Sequence, residues 1–299
     1  MNAHPEALAS ALATTLGSAV RALVGVSGGD INDAFEAELA SGERLFVKTH
    51  RQAPAGMFAA EAAGLDWLAE AKALRVPKVR AVADEDLGSG AAFRFLALEH
   101  IPRGRPGPEF DEALGRGLAA LHRAGAPGFG WWRDNFIGTL PQANVAASAS
   151  TWAAFYRARR LEPLVQRAHA AGTLGASDLH AFDDLYDRLD ELVGPAEPPA
   201  RLHGDLWAGN HLADADGQPV IFDPSVYGGH REVDLALMRL FGGYGPRVFA
   251  AYHEAHPLAR GHEERVALYQ LYPLLVHLNL FGSTYGGQLR AALRAACRI

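Results

Sequence analysis

The chain has 299 residues, 49% of them hydrophobic and 21% charged, with a net charge of −6 and a pI near 6.1. That length suits one bilobal domain or two small ones, and the acidic balance excludes the basic footprint of a nucleic-acid binder. Cys297 is the only cysteine, which excludes an internal disulfide framework or a cysteine metal site and fits a reducing compartment. The stretch MNAHPEALASALATTLGSAV lacks a charged region followed by a long apolar block. No run reaches the roughly 18 apolar residues of a membrane span. A cytoplasmic protein with no membrane or nucleic-acid partner is expected.

Residues 5–20 have the Ala/Leu composition of a short helix. Three strands follow: one ending near Val26, one over 34–39 and one over 44–49, with Ser41-Gly42 as the hairpin turn between the last two. The first turn holds Gly28 and Gly29, which would let the backbone approach a phosphate, although many Gly-Gly turns only close a hairpin. Lysine occurs only at 48, 72 and 78, and Lys48 lies in the apolar strand LFVK, where an unpaired ammonium would be costly. A partner is expected. In the helix predicted over 54–74, Glu61 precedes Leu65 by four residues and Leu68 by seven, so it shares their apolar side and could pair with Lys48.

Two more strands are read at 76–82 and 93–98. The second runs into Glu99, His100 and Ile101, and the Pro/Gly-rich RGRPGPEF ends a β-rich first lobe. The expected division is 1–101 and 102–299, with the linker's backbone able to face an adenine edge. From Phe110 the pattern becomes helical, with Leu114, Leu118 and Leu121 as a buried stripe and His122 as a core or capping residue. The segment 128–144 is aromatic, Gly-rich and non-periodic, and reads as a loop that either shapes a pocket or simply packs. Helices are expected over 151–171 and 176–193, then a stiff connector at 194–200. After residue 246 the chain is helical again, with an interruption or bend at Pro273.

The stretch 201–234, RLHGDLWAGNHLADADGQPVIFDPSVYGGHREVD, holds the strongest chemical signal. It reads as two short strands, 201–202 and 220–222, bracketing a loop that carries Asp205 and Asn210, with Asp223 at the end of the second strand. Phosphoryl transfer needs a carboxylate beside the acceptor hydroxyl and oxygen ligands that hold Mg²⁺ against the phosphates. Asp205 suits the first task, and Asn210 and Asp223 the second. The other reading is Asp/Asn/Gly turn chemistry alone. Trp207 could stack on a substrate or pack beneath the loop. Asp234 can cap a helix over 235–241 or brace the Asp205 loop.

With GGDINDAF at 28–35, FVK at 46–48, AAEAAGLDWL at 59–68, ALEHI at 97–101, DNFIGTLPQAN at 134–144, HGDLWAGN at 203–210 and FDPSVYGGHREVDLALMRLFGGY at 222–244, the chain resembles the fructosamine kinase family. LYQLYPLLVHLNLFG at 268–282 completes a match covering most of the sequence in order. The resemblance implies an α+β, bilobal protein-kinase-like fold with a small β-rich N-lobe and a larger, mainly helical C-lobe. It implies ATP- and Mg²⁺-dependent phosphorylation of ketosamines on the sugar 3-hydroxyl, which removes the sugar from a free or protein-borne amine. A related aminoglycoside or choline phosphotransferase, or a non-catalytic kinase-like binding module, are the alternatives. By resemblance Asp205 is the base, Asn210 and Asp223 the metal ligands, and Lys48 and Glu61 the phosphate-binding pair. Gly28 and Gly29 form the Gly-rich loop, Glu99, His100 and Ile101 the adenine linker, and Trp207 the substrate platform. A monomer is expected.

Overall fold

The computed structural model describes residues 5–26, 32–50, 52–84, 94–145 and 150–298. Gly28 and Gly29 lie outside them.

Helix α1 (Pro5–Leu16) precedes strands β1 (Val20–Val26), β2 (Asp33–Leu39) and β3 (Arg44–Thr49). Helix α2 (Met57–Glu70) then leads to β4 (Val79–Ala83) and β5 (Phe95–Glu99). The five strands form one antiparallel sheet in the order β1-β2-β3-β5-β4. Alternation along the strands assigns the two faces. Leu45 and Val47 of β3, with Phe95 and Ala97 of β5, pack on Leu8 and Leu12 of α1. Leu96 and Leu98 face the other way and join the larger core, which also takes in Met57, Phe58, Leu65 and Leu68 of α2. Lys48, one residue on from Val47, therefore points toward α2.

The rest of the chain is mainly helical. Its helices are α3 (Phe110–Arg123), α4 (Trp152–Tyr156), α5 (Glu162–Ala170), α6 (Ala176–Asp187), α7 (Leu189–Leu192), α8 (Glu232–Phe241), α9 (Pro246–Ala255), α10 (Val266–Phe281) and α11 (Gly286–Ala296). Three short antiparallel ladders lie among them. They pair β6 (Asn135–Ile137) with β7 (Leu140–Gln142), β8 (Ala200–Leu202) with β11 (Tyr227–Gly229), and β9 (His211–Ala213) with β10 (Pro219–Ile221). No helix among the described residues is long and apolar enough to cross a membrane.

Several local expectations are corrected. The segment 128–144 contains the β6–β7 hairpin. The two strands expected to bracket the Asp205 loop belong to different ladders: β8 pairs with β11, a segment not read as a strand, and β10 pairs with β9. Gly228 hid β11. A Cβ there would meet the Gly128 carbonyl at 2.1 Å, so the strand needs glycine for close backbone approach. The helix expected over 151–171 is split by one π-helical turn at Arg157–Leu161. Helix α10 continues through Pro273, which lies inside it.

Candidate active site

Three segments bring the polar residues together. β3 supplies Lys48, and α2 supplies Glu61 from a helix pressed against the loop after Asp223. Gly64 permits that approach: a Cβ there would already touch Val226 Cγ2 at 3.3 Å. The segment from β8 to β11 supplies Asp205 and Asn210 ahead of β9 and Asp223 just after β10.

Lys48 Nζ lies 2.8 Å from Glu61 Oε1 and 2.9 Å from Asp223 Oδ1, with the lysine side chain buried. Burial opposes its charge, but the Asp223 and Glu61 carboxylates outweigh that and hold the ammonium above its ordinary range. The sequence-derived pairing of Lys48 with Glu61 is thus present, and Asp223 joins it.

The Asp205 loop is shaped by its backbone. Gly204 adopts φ +82°, and a Cβ there would lie 2.0 Å from the Ser225 carbonyl oxygen. Asp223 sits at φ +57°, a conformation Asp tolerates better than most residues. A single 3₁₀ turn at Ala208–Asn210 carries Asn210 back under Asp205. Its Nδ2 donates to Asp205 O at 2.8 Å and Asp205 Oδ2 at 3.2 Å, and approaches Asp223 O at 3.4 Å. With the amide nitrogen committed to these acceptors, the amide oxygen has no hydrogen-bond donor among the described residues. Burial, then the neighbouring Asp223 carboxylate, pushes the Asp205 carboxyl up to about 7.

Beneath the loop, the Asp234 carboxylate accepts from the backbone N–H of His203 at 2.8 Å and of Gly204 at 2.9 Å. It also contacts His122 Nε2 at 3.1 Å, and His122 Nδ1 meets the Tyr252 hydroxyl at 2.8 Å. Burial would raise the Asp234 carboxyl, but these partners hold it below its ordinary range. Asp234 lies in the first turn of α8, which starts at Glu232, and braces the loop instead of capping a later helix. His203 accepts from Asp205 N–H through Nδ1 at 3.2 Å and faces the Phe222 carbonyl through Nε2 at 3.0 Å. That pattern fixes a neutral ring protonated on Nε2, and burial lowers its pKa in the same sense.

The other expected residues fall into place unequally. The Glu99 carboxylate binds Arg75 Nη2 at 2.8 Å and the Lys78 N–H at 3.2 Å, and His100 Nε2 lies 3.3 Å from Glu36 Oε1. Their side chains therefore have protein partners. Ile101 makes no hydrogen bond among the described residues, which leaves its backbone free. Trp207 is 37% exposed and lies across Gly209, where a Cβ would stand 2.2 Å from its ring. Asp205 opens onto a narrow crevice walled by Ile137, Val233, Leu237, Tyr272, Val276 and His277.

The donor set fits a magnesium ion. Asp223 keeps its side chain partly exposed, the Asn210 amide oxygen has no protein donor, and the Asp205 and Asp223 carboxylates repel one another. No cluster of three or more His, Cys, Asp or Glu side chains among the described residues could hold a metal alone. Mg²⁺ commonly takes one or two carboxylates and completes its shell with phosphates and water.

Sequence reasoning did not single out the residues behind the crevice. Arg160, in the run RARRL, has the look of a solvated helix face, yet it is fully buried. Asn135, Gln142 and Asn144 fell inside a stretch without periodicity. Their spacing of seven and two residues was the available signal, since residues 135 and 142 face each other in β6–β7.

The fructosamine kinase family model matches residues 5–298. A probable ketoamine kinase of Synechocystis sp. is 39% identical over 277 residues, covering 92% of this chain and 90% of that protein. The chloroplastic protein-ribulosamine 3-kinase of Arabidopsis thaliana is 36% identical over 271 residues, covering 87% of this chain and 78% of that protein. A crystal structure from Thermobifida fusca, assigned as a fructosamine-3-kinase, superposes with a TM-score of 0.87 at 42% identity, covering 98% of this chain and 99% of that one.

Proposed function

The chain belongs to the fructosamine kinase family, and from that premise we propose that it transfers the γ-phosphoryl group of ATP to the 3-hydroxyl of a ketosamine. The observation that carries this reading is the convergence of Lys48, Glu61 and Asp223, at 2.8 and 2.9 Å, beside Asn210 and Asp205, the latter lining a crevice.

In this reading Asp205 accepts the proton of the sugar hydroxyl as that oxygen forms its bond to the γ-phosphorus. The bond from the γ-phosphorus to the bridging oxygen breaks, and that oxygen leaves on ADP. Lys48, held by Glu61, neutralises nucleotide phosphate charge. Asn210 and Asp223 would hold Mg²⁺, which supplies further neutralisation when bound. Asp234 keeps the Asp205 loop in shape through two backbone N–H groups. The free backbone at Ile101 suits an adenine edge, and Gly28 and Gly29 are assigned to the phosphate loop. Trp207 is assigned to the sugar or amine part of the acceptor.

Residues 1–101 form the nucleotide lobe of this proposal and 102–299 the catalytic and substrate lobe. A monomeric state and a cytoplasmic location, which the single cysteine fits, complete it. The test is an acceptor panel: purified protein with Mg²⁺-ATP against ribulose-lysine, fructose-lysine, kanamycin and choline. Turnover of the first two alone is the expected result. Turnover of only kanamycin or choline would move the protein to another acceptor class, and no turnover on any would leave a binding module.

A further inference from the structure

The crevice is too narrow to take a sugar, so an acceptor would lie across its mouth, where Asp205 is half-buried and Trp207 exposed. Beside that mouth a group of aromatic rings reaches the surface. Phe241 ends α8 and Phe281 ends α10, and they stay 36% and 46% exposed. Both pack on His277, whose ring centroid lies 4.6 Å from that of Phe241, 5.5 Å from Phe281 and 5.0 Å from Tyr285. Gly282, at φ +85°, ends α10 and lets Tyr285 fold back on His277 and Phe281. Past Phe241 the chain presses on the Asp205 loop: a Cβ on Gly243 would stand 2.4 Å from Ala208 Cβ. His277 itself lines the crevice with Asp205. The rings therefore adjoin the acceptor-side carboxylate.

Their chemistry selects one kind of ligand. His277 Nδ1 lies 2.8 Å from the Pro273 carbonyl, which can only accept, so that nitrogen carries the proton. Burial lowers the pKa of the ring by more than this contact raises it, which keeps the imidazole neutral and leaves a lone pair on Nε2. Nε2 has no hydrogen-bond partner among the described residues, yet it is not enclosed, so it opens to solvent. No guanidinium or ammonium among the described residues lies over the rings of Phe241, Phe281 or Tyr285. A cationic N–H donor suits this surface: the ring faces attract its charge, and Nε2 accepts its hydrogen bond. A phosphate or carboxylate would meet a lone pair and the negative faces of the rings.

We propose that His277, Phe241, Phe281 and Tyr285 form an ammonium subsite beside Asp205, which holds the amine of the acceptor while its sugar hydroxyl meets the carboxylate. The ligand class is a secondary ammonium that carries a polyol on one side. Trp207 is then left to the sugar. This rests on the reading of Asp205 as the acceptor-side carboxylate and of the acceptor as a sugar–amine adduct, and it deepens that reading by giving the amine a place.

The test compares kcat/KM for two acceptors, a ketosamine and its ether analogue, in which oxygen replaces the amine nitrogen. The wild-type protein should favour the ammonium by at least about tenfold. Phe241→Leu and Phe281→Leu keep an apolar side chain at an exposed position. Each should shrink that preference about two- to fivefold, with Tm and the ATP KM near wild type. His277→Phe keeps a ring, removes the lone pair and should shrink the preference most. A wild type that uses both acceptors equally would overturn the subsite and leave the kinase reading standing. So would a preference unchanged in all three variants, or a loss of the same factor with both acceptors. A wild type that phosphorylates neither acceptor overturns both readings.

Discussion

Two buried polar regions flank Asp205, and they solve the problem of charge in opposite ways. At the mouth, Lys48 faces two carboxylates, and burial, then the nearby Asp223 carboxylate, pushes Asp205 toward neutrality. At the back, Arg160 is surrounded by carbonyls, amides and aromatic rings with no carboxylate paired to it. The first region holds an unbalanced set of charges that a divalent cation and phosphates would complete. The second gives its cation only neutral partners, and the Arg160 Nε is left without a hydrogen-bond partner. Positions that must exchange ligands stay electrostatically incomplete, whereas the buried cation at the back is held by neutral acceptors and aromatic rings.

The comparison sharpens when each region is altered in turn. Asp205→Asn removes the acceptor-side base and should lower kcat by about 10²–10⁴-fold while nucleotide affinity changes little, as steady-state kinetics beside ATP titration would show. Near-normal kcat would break the assignment. Lys48→Met should cut kcat/KM for ATP by roughly 10²–10³-fold, by loss of phosphate neutralisation. An unchanged value would mean that the strand lysine serves only the fold.

Asp234→Asn acts beneath the loop, where one carboxylate accepts from two backbone N–H groups and faces His122. Denaturant unfolding should show a loss of about 2–4 kcal/mol, since hydrogen bonds to a charged group are the strong ones. A loss within experimental error would show that the loop holds itself.

The smallest effect is on stability against pH. Asp205, held up to about 7 in the folded chain, favours folding most in its protonated form. Its stabilising contribution is full below the unfolded value near 4 and is lost as pH rises through about 7. In chelator, Asp205→Asn should therefore melt close to wild type at pH 4 and a few °C above it at pH 8, by differential scanning fluorimetry. A gap that stayed constant with pH would mean the carboxyl is not held up.

The front region was readable in the chain and the back region was not. Lys48 stood out because lysine is rare here and its strand is apolar, and Glu61 followed from helical spacing. Asp205, Asn210 and Asp223 occupy one short stretch. The Asn135–Gln142–Asn144–Arg160 network depends instead on a hairpin and a π-helical turn that leave no hydrophobic period. The sheet and most helices followed from alternation and spacing, whereas β11 escaped because its glycines, needed for close backbone approach, resemble a loop. Glu99 and His100 stand at the expected junction, with their side chains bound to Arg75 and Glu36.

Phosphorus NMR of a ketosamine incubated with the protein and Mg²⁺-ATP tests the central claim most directly. One new phosphomonoester on the sugar 3-hydroxyl, formed in step with ADP, is the predicted result. ADP without that product, or a phosphoester at another sugar position, would contradict it.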